Sequence, residues 1–262
     1  MNLTVKDLAV FTNGNPNKKP IIFVHGFPLD HFMWDKQVEF LSDDFYCVRY
    51  DIRGLGVSPA GDGQFTMESF VDDLESVIDE LKLNKPVLCG LSMGGYISLR
   101  ALERMQDKFS AVILCDTRSE SDNNEGKLKR AAGIKRINTE GLAPFTKDFI
   151  TNCYGEHYKQ NNKTDLEKRI IKSSQFDPAG VKGSLLAMLG RNDTSEFLGR
   201  INIPALIICG EDDALTSPAV MKSMAEKING SEFVIIKNSG HLSPIENPEE
   251  VNKAIGDFLK KL

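Results

Sequence analysis

A serine with glycines on both sides, Gly90-Leu91-Ser92-Met93-Gly94, stands between the apolar run Pro86-Val87-Leu88-Cys89 and the helical segment Gly95-Tyr96-Ile97-Ser98-Leu99. A short apolar run that breaks abruptly into a helix through small residues implies a sharp turn at the edge of a sheet. A serine hydroxyl is a poor nucleophile. A tight turn that lifts it clear of the sheet, next to helix N–H groups, gives it room and a partner for negative charge. The helix is expected to begin at Met93.

Other strand-like runs recur near 3–11, 20–24, 45–50, 86–90, 111–116, 204–209 and 232–237, with helical patterns between them. After Thr66, the residues Met67, Phe70, Val71, Leu74, Val77, Ile78 and Leu81 fall at helical spacing. Asn247-Pro248 reads as a helix start, with Val251, Ile255, Phe258 and Leu259 as the buried stripe that follows. Short apolar runs alternating with amphipathic helices predict an α/β fold: a mainly parallel, twisted sheet with helices on both faces. In such sheets, ligands gather at the carboxyl ends of the strands.

Chemistry-bearing residues sit at those ends. Gly210-Glu211-Asp212-Asp213 follows the run Ala205–Cys209, and Ser239-Gly240-His241 follows Phe233–Ile236. With Ser92 they supply a nucleophile, an acid and a base in the order Ser, Asp, His, and the spacing puts the last two on neighbouring strand ends. Asp212 and Asp213 are both open as the acid, and Asp116, at the end of the run 111–116, is a third candidate. Because side-chain direction alternates, only one of Asp212 and Asp213 can face His241. Ile21–Val24 running into His25-Gly26-Phe27-Pro28 forms a loop able to fold back over Ser92. The backbone N–H groups of Phe27 and Met93 are the expected oxyanion donors.

His25-Gly26-Phe27-Pro28, Asp51-Ile52-Arg53-Gly54-Leu55-Gly56-Val57-Ser58, Gly90–Gly95, Gly210–Asp213 and Gly240-His241 through Glu246-Asn247-Pro248 resemble, in order, the signatures of the α/β-hydrolase superfamily. Within it, the chain is most similar to small bacterial carboxylesterases, 3-oxoadipate enol-lactonases and cofactor-free haloperoxidases. The resemblance covers 1–118 and 200–262, implying a core domain from those segments and an inserted helical cap over 119–199. It favours Asp213, three residues after Gly210, as the acid. It implies a Ser92–His241–Asp213 serine hydrolase that cleaves a small ester or lactone through an acyl-enzyme, without cofactor.

Enol-lactonase and C–C hydrolase or lyase chemistry belong to the same fold. Lyases of the menaquinone pathway usually carry arginine where this chain has Tyr96. A dehalogenase or epoxide hydrolase would need aspartate in place of Ser92. A slow-turnover ligand receptor is the alternative from another class. Asp51 and Arg53 are expected to pair with each other beneath the site, and His25 to buttress the oxyanion loop. His31 and His157 have no evident partner, and Trp34 stands as packing or pocket lining.

Between about Ser119 and Arg200 the apolar strand runs stop. Lys127, Lys129, Arg130, Lys135 and Arg136 make a basic helical run that reads either as a solvated face or as a lure for an anionic substrate.

A chain of 262 residues fits one α/β domain with an insertion. A net charge of -5 argues against nucleic-acid binding. No run approaches the roughly 18–20 apolar residues needed to span a bilayer. The first residues have neither the basic head nor the apolar run of a signal peptide, so a cytoplasmic protein without membrane attachment is expected. Five cysteines, four of them in separate predicted strands, are poor material for disulfides, and no Cys/His spacing predicts a metal. Oligomeric state is left open; the expected partner is a small ester or lactone.

Overall fold

Strands buried on both faces need apolar side chains at every position, and most of this chain's strands obey that rule. The computed structural model describes residues 2–262. In chain order it contains β1 (Asn2–Val5), β2 (Leu8–Asn13), β3 (Pro20–Val24), α1 (Asp35–Leu41), β4 (Tyr46–Tyr50), α2 (Met67–Glu80), β5 (Val87–Leu91), α3 (Met93–Met105) and β6 (Ala111–Cys115). Then follow α4 (Asn124–Glu140), α5 (Leu142–Cys153), α6 (Glu156–Asn161), α7 (Lys163–Ser173) and α8 (Pro178–Leu189). The chain closes with β7 (Ala205–Gly210), α9 (Pro218–Lys227), β8 (Glu232–Ile236), α10 (Ser243–Glu246) and α11 (Pro248–Leu259).

The eight strands form one sheet in the order β1-β2-β4-β3-β5-β6-β7-β8. β1, β2 and β4 pair antiparallel, and every other neighbouring pair is parallel. Because side chains alternate, each central strand feeds two separate cores. Ile22, Val48, Leu88, Val112 and Ile207 pack on one face; Ile21, Cys47, Cys89, Ile113 and Ile208 pack on the other. The first face is closed chiefly by α2 and α3, the second by α1 and α11.

α2 begins where Thr66 and Ser69 cap each other reciprocally, and α11 begins at Asn247, whose side chain accepts from the Glu250 N–H. All five cysteines are free and buried. Their thiols act as small apolar groups.

The expected single strand near 3–11 is instead a hairpin. Lys6 and Asp7 both take positive φ (45° and 70°), the geometry of a tight turn whose twist suits the flanking strands. The two polar residues were the available signal.

The serine turn is assembled by close approach. Ser92 itself has φ 53° and ψ -112° and is the residue immediately before α3. A Cβ on Gly94 would lie 2.2 Å from the Val24 carbonyl oxygen and 2.8 Å from that of His25. Gly94→Ala must therefore push α3 off β3, and we expect a stability loss of about 3 kcal/mol, measurable by urea unfolding.

Candidate active site

Three strand ends converge here. The Ser92 N–H donates to the Cys115 carbonyl (3.0 Å), and its own carbonyl accepts from the Thr117 hydroxyl (2.8 Å), so the turn is braced by the end of β6. The Ser92 Oγ lies 2.8 Å from His241 Nε2, and His241 Nδ1 lies 2.8 Å from Asp213 Oδ2. Asp213 is buried and fully engaged: Oδ1 accepts from the N–H groups of Leu215 and Thr216, and Oδ2 also accepts from the Thr216 hydroxyl at 2.6 Å. Of the sequence-predicted site residues, Ser92, His241 and Asp213 are thus brought into one hydrogen-bonded series.

Asp212 is exposed, turned away as alternation requires. Asp116 lies close behind Asp213 but bonds elsewhere, accepting from the Gly210 N–H (2.7 Å) and the Ser243 hydroxyl (2.6 Å). It therefore ties the acid loop to the base loop.

These positions fix the electrostatics. Burial favours neutral His241, but the charge and hydrogen bond of Asp213 outweigh it and raise the imidazole above its ordinary pKa. Burial equally works to raise Asp213, yet His241 and Thr216 hold its carboxyl below the usual range. Asp116 goes the other way, pushed up by burial and then by the neighbouring Asp213 charge. Asp116, Cys209 and Asp213 approach one another within 4.8 Å. Both carboxylates already accept hydrogen bonds, and burial raises the Cys209 thiol, so this trio is poor material for a cation.

Met93 opens α3, so its N–H has no acceptor inside the helix. A Cβ on Gly26 would lie 3.5 Å from the Cβ of Ser92, so the loop carrying Phe27 runs directly against the serine. His25 supports that loop: Nδ1 pairs with the Gly26 carbonyl at 2.9 Å, and Nε2 accepts from the Ile52 N–H at 2.9 Å. Burial lowers its pKa, in keeping with this neutral tautomer.

One expectation around the loops needs correction. Asp51 and Arg53 do not pair: Asp51 accepts from His31 (2.8 Å) and the Val57 N–H (2.9 Å), whereas Arg53 reaches Asp73 on α2 (2.6 Å). The Gly54-Leu55-Gly56 turn folds back so that Asp51 points inward while Arg53 points to α2. His31, without an evident partner in the sequence, thereby gains Asp51 and stacks on Phe11 at 3.5 Å. Trp34 is fully buried against Phe23 and does not line the pocket.

Ser92 and His241 open onto a cavity of about 470 Å³. Phe27, Phe145, Phe149, Leu185 and Met188 supply apolar walls, and Tyr96, Arg118, Asp122 and Arg130 a polar one. The sequence reading missed Thr216, Arg118 and Asp122. Only Thr216 carried a local signal, as Asp213-Ala214-Leu215-Thr216 is a natural side-chain-to-backbone turn. Of the five basic residues singled out on α4, only Lys129 and Arg130 reach the cavity. Lys127 and Lys135 are exposed, and Arg136 pairs with Glu140 and Asp148.

A mostly parallel sheet with a strained serine turn, an imidazole and a carboxylate at successive strand ends defines an α/β-hydrolase fold. The model of the alpha/beta hydrolase family matches residues 21–254, and the chain belongs to that family. It is 29% identical over 257 residues to 3-oxoadipate enol-lactonase 1 of Acinetobacter baylyi, covering 98% of this chain and 94% of that one. Among solved structures, a thermophilic esterase from Thermogutta terrifontis, malate bound, superposes with a TM-score of 0.93 at 36% identity, covering 100% of this chain and 98% of that one. The enol-lactonase from Burkholderia xenovorans LB400 gives 0.91 at 27% identity, with coverage of 99% and 100%. Among the described residues, no helix is long and apolar enough to cross a membrane.

Proposed function

We propose that this protein is a serine hydrolase that cleaves a small carboxylic ester or lactone through an acyl-enzyme on Ser92. The observation that carries the reading is the unbroken series from Ser92 Oγ to His241 Nε2 and from His241 Nδ1 to Asp213 Oδ2, each of the two hydrogen bonds 2.8 Å. His241 takes the serine proton as Oγ attacks the carbonyl, and Asp213 holds the tautomer and stabilises the imidazolium. The amides of Phe27 and Met93 receive the oxyanion, each contributing on the order of 3 kcal/mol to transition-state stability. The alcohol leaves with the proton from His241, and water repeats the attack on the acyl-enzyme. In a lactone, the leaving alcohol stays tethered to the acyl group.

The segment 119–199 serves as a cap on a core formed by 1–118 and 200–262. In support, the chain leaves the sheet after Cys115 and returns at Ala205, and α4, α5 and α8 between them contribute cavity-lining residues. Such a roof excludes water and shapes the acyl pocket. The esterase and enol-lactonase relatives favour ester and lactone substrates over C–C bond cleavage, and Tyr96 stands where lyases of this fold carry arginine.

Repeated release of p-nitrophenol from p-nitrophenyl butyrate tests the reading; one slow turnover with a large thermal shift would instead mark a receptor. Because only neutral His241 accepts the proton, kcat/KM is expected to fall with decreasing pH, with its midpoint above the ordinary histidine value. Stability runs in the opposite sense. The raised pKa of His241 contributes stability fully present below the unfolded-state value and lost as pH rises through the folded one. A kcat/KM profile flat from pH 5 to 8 would contradict His241 as the base.

A further inference from the structure

One wall of the cavity carries more positive charge than its acids balance. Asp122, just before α4, has a side chain only 1% exposed and accepts from three guanidinium groups: Arg118 (2.8 Å), Arg130 (3.0 Å) and Arg191 (2.6 Å). Burial works to raise its pKa, but Arg130 and Arg191 more than offset this and hold the carboxyl at about 2, so it is charged. Arg191 alone would neutralise it. That residue is otherwise spent, 2% exposed, donating to the Met188 carbonyl and lying over the Tyr96 ring at 4.1 Å.

Arg118 and Arg130 are different: both line the cavity shared by Ser92 and His241. Arg118 is engaged by Asp122 and the Tyr96 side chain and Arg130 by Asp122, and each keeps further donors, because a guanidinium carries five N–H groups. The Nε of Arg118 is buried without a partner. The other acid on the cavity wall, Glu125, is taken by Lys129 at the exposed rim (2.8 Å). Packed guanidinium groups around one carboxylate leave an uncompensated charge in a partly desolvated wall, which an oxyanion in fork geometry would complete.

We propose that Arg118 and Arg130 form a carboxylate-binding subsite, so that the preferred ester or lactone carries a carboxylate on the part that occupies the cavity. This rests on the reading of Ser92 as the nucleophile for a carbonyl in the same cavity. The apolar walls from Phe27, Phe145, Phe149, Leu185 and Met188 would hold a short carbon chain between the two ends.

The test has one readout without chemistry and one with it. In calorimetric titration, glutarate is expected to bind the protein, and Arg118→Gln and Arg130→Gln each to weaken binding by about tenfold or more, with glutaramide not binding. In kinetics, the ratio of kcat/KM for the mono-p-nitrophenyl ester of glutarate to that for p-nitrophenyl valerate should exceed one. It should fall about tenfold in Arg130→Gln and be partly restored in Arg130→Lys. Loss of packing alone would lower both esters together and leave the ratio unmoved, which counts against the subsite. Absence of glutarate binding, or equal binding of glutaramide, overturns it whatever the turnover. Glutarate binding with no ester cleaved would support the subsite and refute the hydrolase reading instead.

Discussion

Ser92→Ala is expected to lower kcat for p-nitrophenyl butyrate by about 10⁴–10⁶-fold and to abolish labelling by a fluorophosphonate probe. The size follows from the cooperative series: without Oγ, His241 has no proton to take and no covalent intermediate forms. The fold should survive. The turn is held by the backbone of residue 92, through the Cys115 carbonyl, the Thr117 hydroxyl and the Tyr96 N–H, none of which uses the removed atom. Thermal unfolding of the variant should stay within a few degrees of the wild type, and equal probe labelling of both proteins would show that the nucleophile lies elsewhere.

The second large effect separates two buried carboxyls. Asp213→Asn should cost about 10⁴-fold in kcat, because an amide facing Nδ1 presents its donor and favours the wrong imidazole tautomer. Asp116→Asn should retain most of the activity. Its carboxyl faces Gly210 and Ser243 rather than the imidazole, and burial beside Asp213 already raises its pKa toward a neutral form that an amide imitates. Losing one acceptor there should instead lower unfolding stability by about 1–3 kcal/mol. If Asp116→Asn proved the more damaging to kcat, the acid assignment would have to be reversed.

Why Ser92, His241 and Asp213 were readable in the chain is a matter of local context. Ser92 and Asp213 follow β5 and β7, buried along their whole length, where a doubly covered parallel strand imposes a continuous apolar run; His241 follows β8, a half-exposed edge strand whose run Phe233–Ile236 is apolar all the same. The choice between Asp212 and Asp213 was partly legible too, since alternation lets only one face the imidazole. The β1–β2 hairpin was hidden because apolar residues flank Lys6-Asp7 closely enough to pass for one strand. The polar wall was hidden for another reason: Arg118, Asp122 and Arg130 lie close in the chain, but Tyr96 on α3 and Arg191 at the exit from α8, which packs on Asp122 and over the Tyr96 ring, come from far away, and only the fold brings them together. The Asp51–Arg53 expectation failed because sequence proximity was taken for spatial pairing, while the glycine turn after Arg53 sends the two side chains to different partners.

The His241 N–H donates to the Cys153 carbonyl at 2.8 Å, and the Glu246 carboxylate accepts from the Gly155 N–H at 2.8 Å. The loop bearing the imidazole and the end of α5 are therefore stitched together by two bonds a few residues apart. A breathing motion that lifted α5 as a whole would drag the imidazole with it and break its alignment with Ser92. Displacement of that helix is therefore felt at the proton-transfer step, so the seating of α5 and the aim of the imidazole are one mechanical property of the molecule.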